Sequence, residues 1–238
     1  MAFRFLSALV VFGAAALFAA EPRPLRIVVQ VDRTGSTVVN RVPPLAVADF
    51  AEIFDLILQN GGEIAVGVIR DRSNRPLLRC RVEQKPVRHA QAPPDKMNPF
   101  LRQRLMREYL AQKNEEDQAE SAWKDQSQRR IDLFRAELQG LLETPLAGHT
   151  DIHGAVLRSD LFLAEPDDGW RAATRRFAVI HSDGIDNVRE PAVAMRSGAA
   201  VLVVNGSASV GALAPLNPTR VESFAAAIRY IRSHSQEE

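Results

Sequence analysis

The sequence has a single cysteine, Cys80, in 238 residues. That excludes an intramolecular disulfide and a cysteine-based zinc cluster. Cys80 is expected to be a small buried apolar residue. Charge of one sign is lacking too, because 30 Lys and Arg oppose 29 Asp and Glu, a net charge of +1. Non-specific nucleic-acid binding needs a basic surplus aimed at phosphates, so it is not expected. Disorder goes with large net charge and low hydrophobicity, so it is not expected either. No nucleophile elbow, phosphate loop or dinucleotide fingerprint occurs. Asn205-Gly206-Ser207-Ala208 lacks the further glycines of a phosphate cradle and reads as a connecting loop. Beyond residue 20 no run is long and apolar enough to cross a membrane.

What is there fits one globular domain, with 46% apolar and 25% charged residues. Arg4 precedes residues 5–20, which are mostly apolar and uncharged. Sixteen residues fall short of the roughly 20 that a membrane span needs, so residues 1–20 read as a signal peptide. The small-x-small pair Ala14 and Ala16 lies inside the run, and later cuts place Leu17 or Phe18 three residues back. An uncleaved N-terminal anchor is therefore the alternative. No Cys follows the run, which excludes a lipoprotein anchor. Either way the folded part, residues 25–236, is expected outside the cytoplasm, in a periplasm or the extracellular space.

Residues 25–31 (LRIVVQV) have the pattern of a strand buried on both faces of a parallel sheet. Residues 45–60 predict a helix, closed by Gly61-Gly62. Residues 63–70 and 77–82 predict two strands paired as a hairpin. Residues 100–139 contain neither Gly nor Pro and are rich in Arg, Glu, Gln and Lys. That stretch, within an insertion at 95–140, predicts one helix of about 60 Å or a hairpin of two. It is read as a solvated excursion docked by its ends, or as a partner-binding arm around Trp123. Alternation then resumes, with a helix at 151–164, a strand at 176–181, a short helix or turn at 191–197, a strand at 199–205 and a helix at 218–235. Strands separated by helices predict an α/β fold, a doubly wound and mostly parallel sheet flanked by helices, with a long helical insertion.

Ligand sites in such sheets gather at the carboxyl ends of strands. Three segments fall there: Asp32-Arg33-Thr34-Gly35-Ser36, Gly148-His149-Thr150-Asp151 and His181-Ser182-Asp183-Gly184. Asp32, Thr34, Ser36, Thr150 and Asp183 offer two carboxylates and three hydroxyls. An all-oxygen, mostly neutral set suits a hard cation such as Mg²⁺, with Mn²⁺ or Ca²⁺ as alternatives. Gly35 is expected to relieve crowding where the chain bends off the strand. Taken singly, Asp32, Ser36 and Thr150 are also ordinary capping residues.

The D-x-T-x-S of Asp32, Thr34 and Ser36, the Thr150-Asp151 pair and Ser182-Asp183-Gly184 together resemble the metal-ion-dependent adhesion site of von Willebrand factor A-type (VWA) domains. The resemblance spans about 25–235. It implies that Thr34, Ser36 and Thr150 bind the cation directly, while Asp32 and Asp183 act mainly through bound waters. It also implies that a remaining position takes an Asp or Glu carboxylate from a partner protein, which is binding and not turnover. Thr34 stands where Ser is commoner and Thr37 where a larger apolar residue is frequent. His149 and His153, which flank Thr150, are not required by the family. Two rivals remain. One is a zinc-dependent hydrolase built on His149, His153 and Asp183. The other is a structural domain that binds partners through its helical insertion.

Overall fold

Eight consecutive buried residues, Leu25–Asp32, form β1, the strand on which the sheet is built. The computed structural model describes residues 22–73, 75–186, 188, 194–205 and 213–235. The remaining strands are β2 (Gly62–Ile69), β3 (Leu78–Val82), β4 (Arg175–His181), β5 (Ala200–Val204) and β6 (Thr219–Val221). They form one six-stranded sheet in the order β3-β2-β1-β4-β5-β6. All neighbours are parallel except the edge strand β3, which returns antiparallel along β2. The helices are α1 (Gly35–Val39), α2 (Ala51–Asn60), α3 (Pro99–Leu142), α4 (Ile152–Leu163) and α5 (Phe224–Ser235).

Apolar residues on both sides of β1 explain the double winding. Val29 and Val31 pack with Phe54 and Ile57 of α2, Phe134 and Leu138 of α3, and Ile228 of α5. Val28, on the opposite face, packs with Ile152, Val156 and Leu163 of α4. Each such side chain contributes about 1.5–3 kcal/mol by leaving water. Gly62 sets the start of β2: its φ is 141°, and a Cβ there would stand 2.1 Å from the Leu25 carbonyl oxygen. Only glycine allows that approach.

The insertion is a single helix of 44 residues, about 66 Å long at 1.5 Å per residue. Asn98 caps it by accepting from the Phe100 N–H at 3.0 Å, and Pro99 begins it. Its carboxyl half docks through buried Ser127, Ile131, Phe134, Leu138 and Leu142. Its amino half is tied to the proline-bearing connector by Lys85–Glu120 and Arg88–Glu120 pairs, both 2.6 Å. There Phe100 is 85% exposed.

Two expectations need correction. Residues 218–235 are not one helix: 219–221 form the edge strand β6, and α5 begins at Phe224. Residues 45–60 divide into a 3-10 turn at Val47–Phe50 and α2. Of the short element expected at 191–197, residues 191–193 lie outside the described residues and 194–197 are not helical; residues 1–20 and the Gly206-Ser207-Ala208 part of the expected loop also lie outside them. Among the described residues no helix is long and apolar enough to cross a membrane. Cys80 is buried as expected, and burial pushes its thiol up to about 11.

Candidate functional site

The strand order creates a switch point between β1 and β4, since the chain leaves β1 for β2 on one side and later returns to β4 on the other. The crevice beyond the carboxyl ends of two such strands is where open α/β sheets hold ligands. Asp32 is the last residue of β1, and Ser182 and Asp183 follow β4 directly. The third segment is carried in by a parallel bridge between Thr34 and Ala147. There the Gly35 N–H donates to the Ala147 carbonyl at 3.1 Å, and the Ala147 N–H donates to the Arg33 carbonyl at 2.8 Å. This bridge holds Gly148-His149-Thr150 against the loop after β1.

The side chains meet. The Thr34 hydroxyl donates to Asp32 Oδ1 at 2.7 Å and lies 3.0 Å from the Ser36 hydroxyl. Thr150, fully buried, donates its hydroxyl to Thr34 Oγ1 at 3.2 Å. The Ser182 hydroxyl donates to Asp32 Oδ2 at 2.6 Å. Asp183, also buried, is held differently: its Oδ2 accepts from Asn40 Nδ2 at 2.9 Å and its Oδ1 from the Ile185 N–H at 3.0 Å. Thus Asp32, Thr34, Ser36 and Thr150 form one hydrogen-bonded cluster, with Asp183 beside it. Asp183 is near enough for its charge to act on Asp32.

These hydroxyls do not serve as helix caps. Thr34 occupies the N-cap position of α1 without a side-chain capping bond, its hydroxyl being turned to Asp32. Asp151 is the residue that does cap: its Oδ1 accepts from the Gly154 N–H at the start of α4. Thr37 pins α1 from below, donating its hydroxyl to the Thr34 carbonyl at 2.7 Å. Gly35 does not play its expected part, because a Cβ there would meet nothing within 4 Å. The conformational demand falls on Gly184, at φ 82°, whose N–H donates to Ser182 Oγ at 3.0 Å. Ser182 and Asn40 are site residues that sequence reasoning missed. Ser182 lay inside a segment already singled out, whereas Asn40 carries no local signal.

Burial pushes the Asp32 carboxyl up to about 6, against the downward pull of the Ser182 and Thr34 hydroxyls, and Asp183 pushes it further. Its strongest neighbours are therefore two hydroxyls and a second carboxylate. A buried acid so placed gains from a cation, and the donors around it are all oxygen. The residues present fit a hard divalent ion with few anionic ligands.

The zinc reading finds no cluster: among the described residues no three His, Cys, Asp or Glu are grouped to hold a metal ion. His149 is exposed on its turn, while Asp183 is buried and tied to Asn40. His181 lies at the end of β4 with its ring edge-on to Phe224, and burial takes its pKa down to about 4. Trp123 is half-buried against the core, and its indole N–H donates to the Glu83 carbonyl at 2.8 Å. It fastens the long helix to the segment after β3.

No family model and no curated protein matches the chain. Among solved structures, one that is similar is the pilus adhesin SpaC from Lactobacillus rhamnosus GG in its open conformation. The identity is 10% and the TM-score 0.42, over 90% of this chain and 30% of the adhesin. The chain thus spans under a third of that protein's length.

Proposed function

We propose that the chain is an exported VWA-like module that binds a protein partner through a Mg²⁺ ion at the switch point of its sheet. Thr34, Ser36 and Thr150 would hold the ion through their hydroxyls, and Asp32 and Asp183 would orient its waters. When bound, the ion supplies an electrophilic position for an Asp or Glu carboxylate of the partner. The chain's own contribution is preorganisation. Ser182 and Thr34 fix both oxygens of Asp32, Asn40 and the Ile185 N–H fix those of Asp183, and the Thr34–Ala147 bridge fixes the approach of Thr150. The observation that carries the reading is the meeting of Asp32, Thr34, Ser36 and Thr150 from two chain segments, around an acid whose closest partners are hydroxyls.

The test is calorimetric titration of the full chain with Mg²⁺, followed by capture of partners from an extracellular or envelope fraction with Mg²⁺ or EDTA. Saturable Mg²⁺ binding is expected, lost in Asp32→Ala and Asp183→Ala, with capture lost in parallel. Capture that is indifferent to EDTA and to both substitutions would overturn the metal-bridged mode. A second reading rests on the exposed Phe100, Leu101 and Leu110 of α3, in which the arm does the binding. Capture lost in Phe100→Ala with Leu110→Ala, and retained in EDTA, would favour it.

A further inference from the structure

Beside the hydroxyl cluster lies a cavity of about 320 Å³. Its walls include Val42, Pro44, Leu45, Leu142 and Leu146, and Asp32 forms part of it. One residue therefore belongs both to the proposed ion site and to an apolar hole. At that volume the hole is at the lower end of ligand pockets and suits one large side chain. Arg33 and Arg41 also line it, two cations against the one acid, Asp32. The Arg33 guanidinium is held in place by donating to the Thr144 carbonyl at 2.9 Å. His181 lines it too, 2% exposed, with its Nε2 3.3 Å from Asn205 Nδ2 and its Nδ1 without a partner among the described residues. Val38 and Leu146, which line the cavity, are themselves exposed.

Resting on the reading above, we infer that the partner segment is acidic and extended, and places a large apolar side chain in this cavity while its carboxylate meets the ion. In an extended chain, residues two apart project to the same side about 7 Å from each other. An acid over the cluster would then put its second neighbour on the same side of the chain, towards a hole that shares Asp32 with the cluster. The two arginines complement the negative segment, which favours an acidic peptide over a neutral apolar one. The cavity therefore selects among acids, since the ion alone would accept any accessible carboxylate.

The experiment follows amide shifts of the ¹⁵N-labelled full chain. Mg²⁺ is added first. The probes are then acetyl-Gly-Leu-Ser-Asp-Ser-Leu-Gly-amide, its counterpart with both Leu changed to Ala, and its counterpart with Asp changed to Asn. The Leu–Asp peptide is expected to bind about tenfold more tightly than the Ala–Asp peptide, as burial of one Leu implies. That preference should vanish in Val42→Trp, which fills the hole, and shrink in Leu146→Ala, which serves if the first variant does not fold. Both variants should keep the Mg²⁺ shifts around Asp32 and Thr150. Normal Mg²⁺ shifts with no preference between the two Asp peptides, or with no binding of either at millimolar concentration, overturn the inference while sparing the ion site. A Leu preference that survives with EDTA and with the Asn peptide overturns the coupling of hole to ion. Missing Mg²⁺ shifts overturn the ion site itself.

Discussion

β1 carries a buried charge at each end, and the two ends are treated in opposite ways. Near its amino end, Arg26 is 2% exposed and lies 3.4 Å from Asp167, which also pairs with Arg176 at 3.2 Å. Arg26 donates besides to the carbonyls of Glu165 and Pro166. Alongside, Arg79 bridges Glu63 at 2.8 Å and Glu165 at 2.6 Å. Burial alone would raise the Asp167 carboxyl, yet Thr174 and Arg176 hold it below its ordinary value. At the carboxyl end, Asp32 is more deeply buried than Asp167, and its side-chain partners are hydroxyls with no guanidinium among them. Its pKa rises to about 6. Acids at one end are neutralised within the chain, and the acid at the other end is left in want of a cation. On the function proposed above, the cation for the second end would come from outside the chain.

The contrast can be broken hardest at the amino end. Arg26→Ala leaves the Glu165 and Pro166 carbonyls without their charged donor, while Asp167 keeps Arg176, and is expected to cost about 3 kcal/mol in urea unfolding. The response to Mg²⁺ should survive in whatever folded protein remains. A variant that folds normally but loses that response would show that the two ends are not independent.

At the carboxyl end, removal of charge should stabilise. Asp32→Asn abolishes an ionisation that the fold disfavours, and a shift from 3.8 to about 6 corresponds to roughly 3 kcal/mol at neutral pH. The metal-free variant is therefore expected to be more stable than wild type by about 2–3 kcal/mol. Mg²⁺ should then raise the melting temperature of wild type and leave the variant unchanged. Such an exchange of stability for function is common at binding sites. A destabilised Asn variant in EDTA would mean that Asp32 is already neutralised within the chain.

The pH dependence sharpens the same point. Asp32 is raised in the fold, so its contribution is present below its unfolded value of 3.8 and is lost as pH rises through about 6. His181 is lowered in the fold, so its contribution is present above 6.5 and is lost as pH falls through about 4. Between about pH 4 and 6 the two oppose each other, and metal-free wild type should show little net slope from this pair. Each single variant exposes the other group. Asp32→Asn should lose about 2 kcal/mol as pH falls from 6.5 to 4.5, and His181→Gln should gain a similar amount. Denaturant titrations at a series of pH values in EDTA check both, and equal slopes in the two variants would contradict the assignment.

How far the sequence revealed this depended on whether a signal was local. The buried strands were legible because residues 25–31 and 199–205 are nearly continuous apolar runs of the kind a parallel sheet requires. β6 was not, since it has three residues, none fully buried. Val221 also falls at helical spacing from Phe224 and Ile228, which drew it into the helix pattern. Asp32, Thr34 and Ser36 share one turn, so their convergence could be read from spacing. The Ser182 hydroxyl on Asp32 and the Asn40 amide on Asp183 span 150 and 143 residues, and only the sheet order places them. The cavity beside Asp32 has the same origin, its walls coming from residues between 31 and 45, from Leu142 and Leu146, and from His181.

The long helix supplies the mildest test, and it separates docking from partner capture. The helix is expected either to dock by its ends or to bind a partner around Trp123, whose indole N–H donates to the Glu83 carbonyl and whose ring rests on the core. Trp123→Phe keeps most of the apolar contact and deletes that hydrogen bond, so a loss of about 1 kcal/mol is expected. Partner capture should be unaltered, because the substitution leaves Asp32, Thr34, Ser36, Thr150 and Asp183 in place. Phe100→Ala, at the exposed end of the same helix, should change stability by less than about 0.5 kcal/mol. If capture falls with Trp123→Phe while stability holds, the arm takes part in recognition and the division of labour between arm and sheet is redrawn. If stability falls and capture holds, Trp123 is a fastening, and recognition stays with the sheet's switch point.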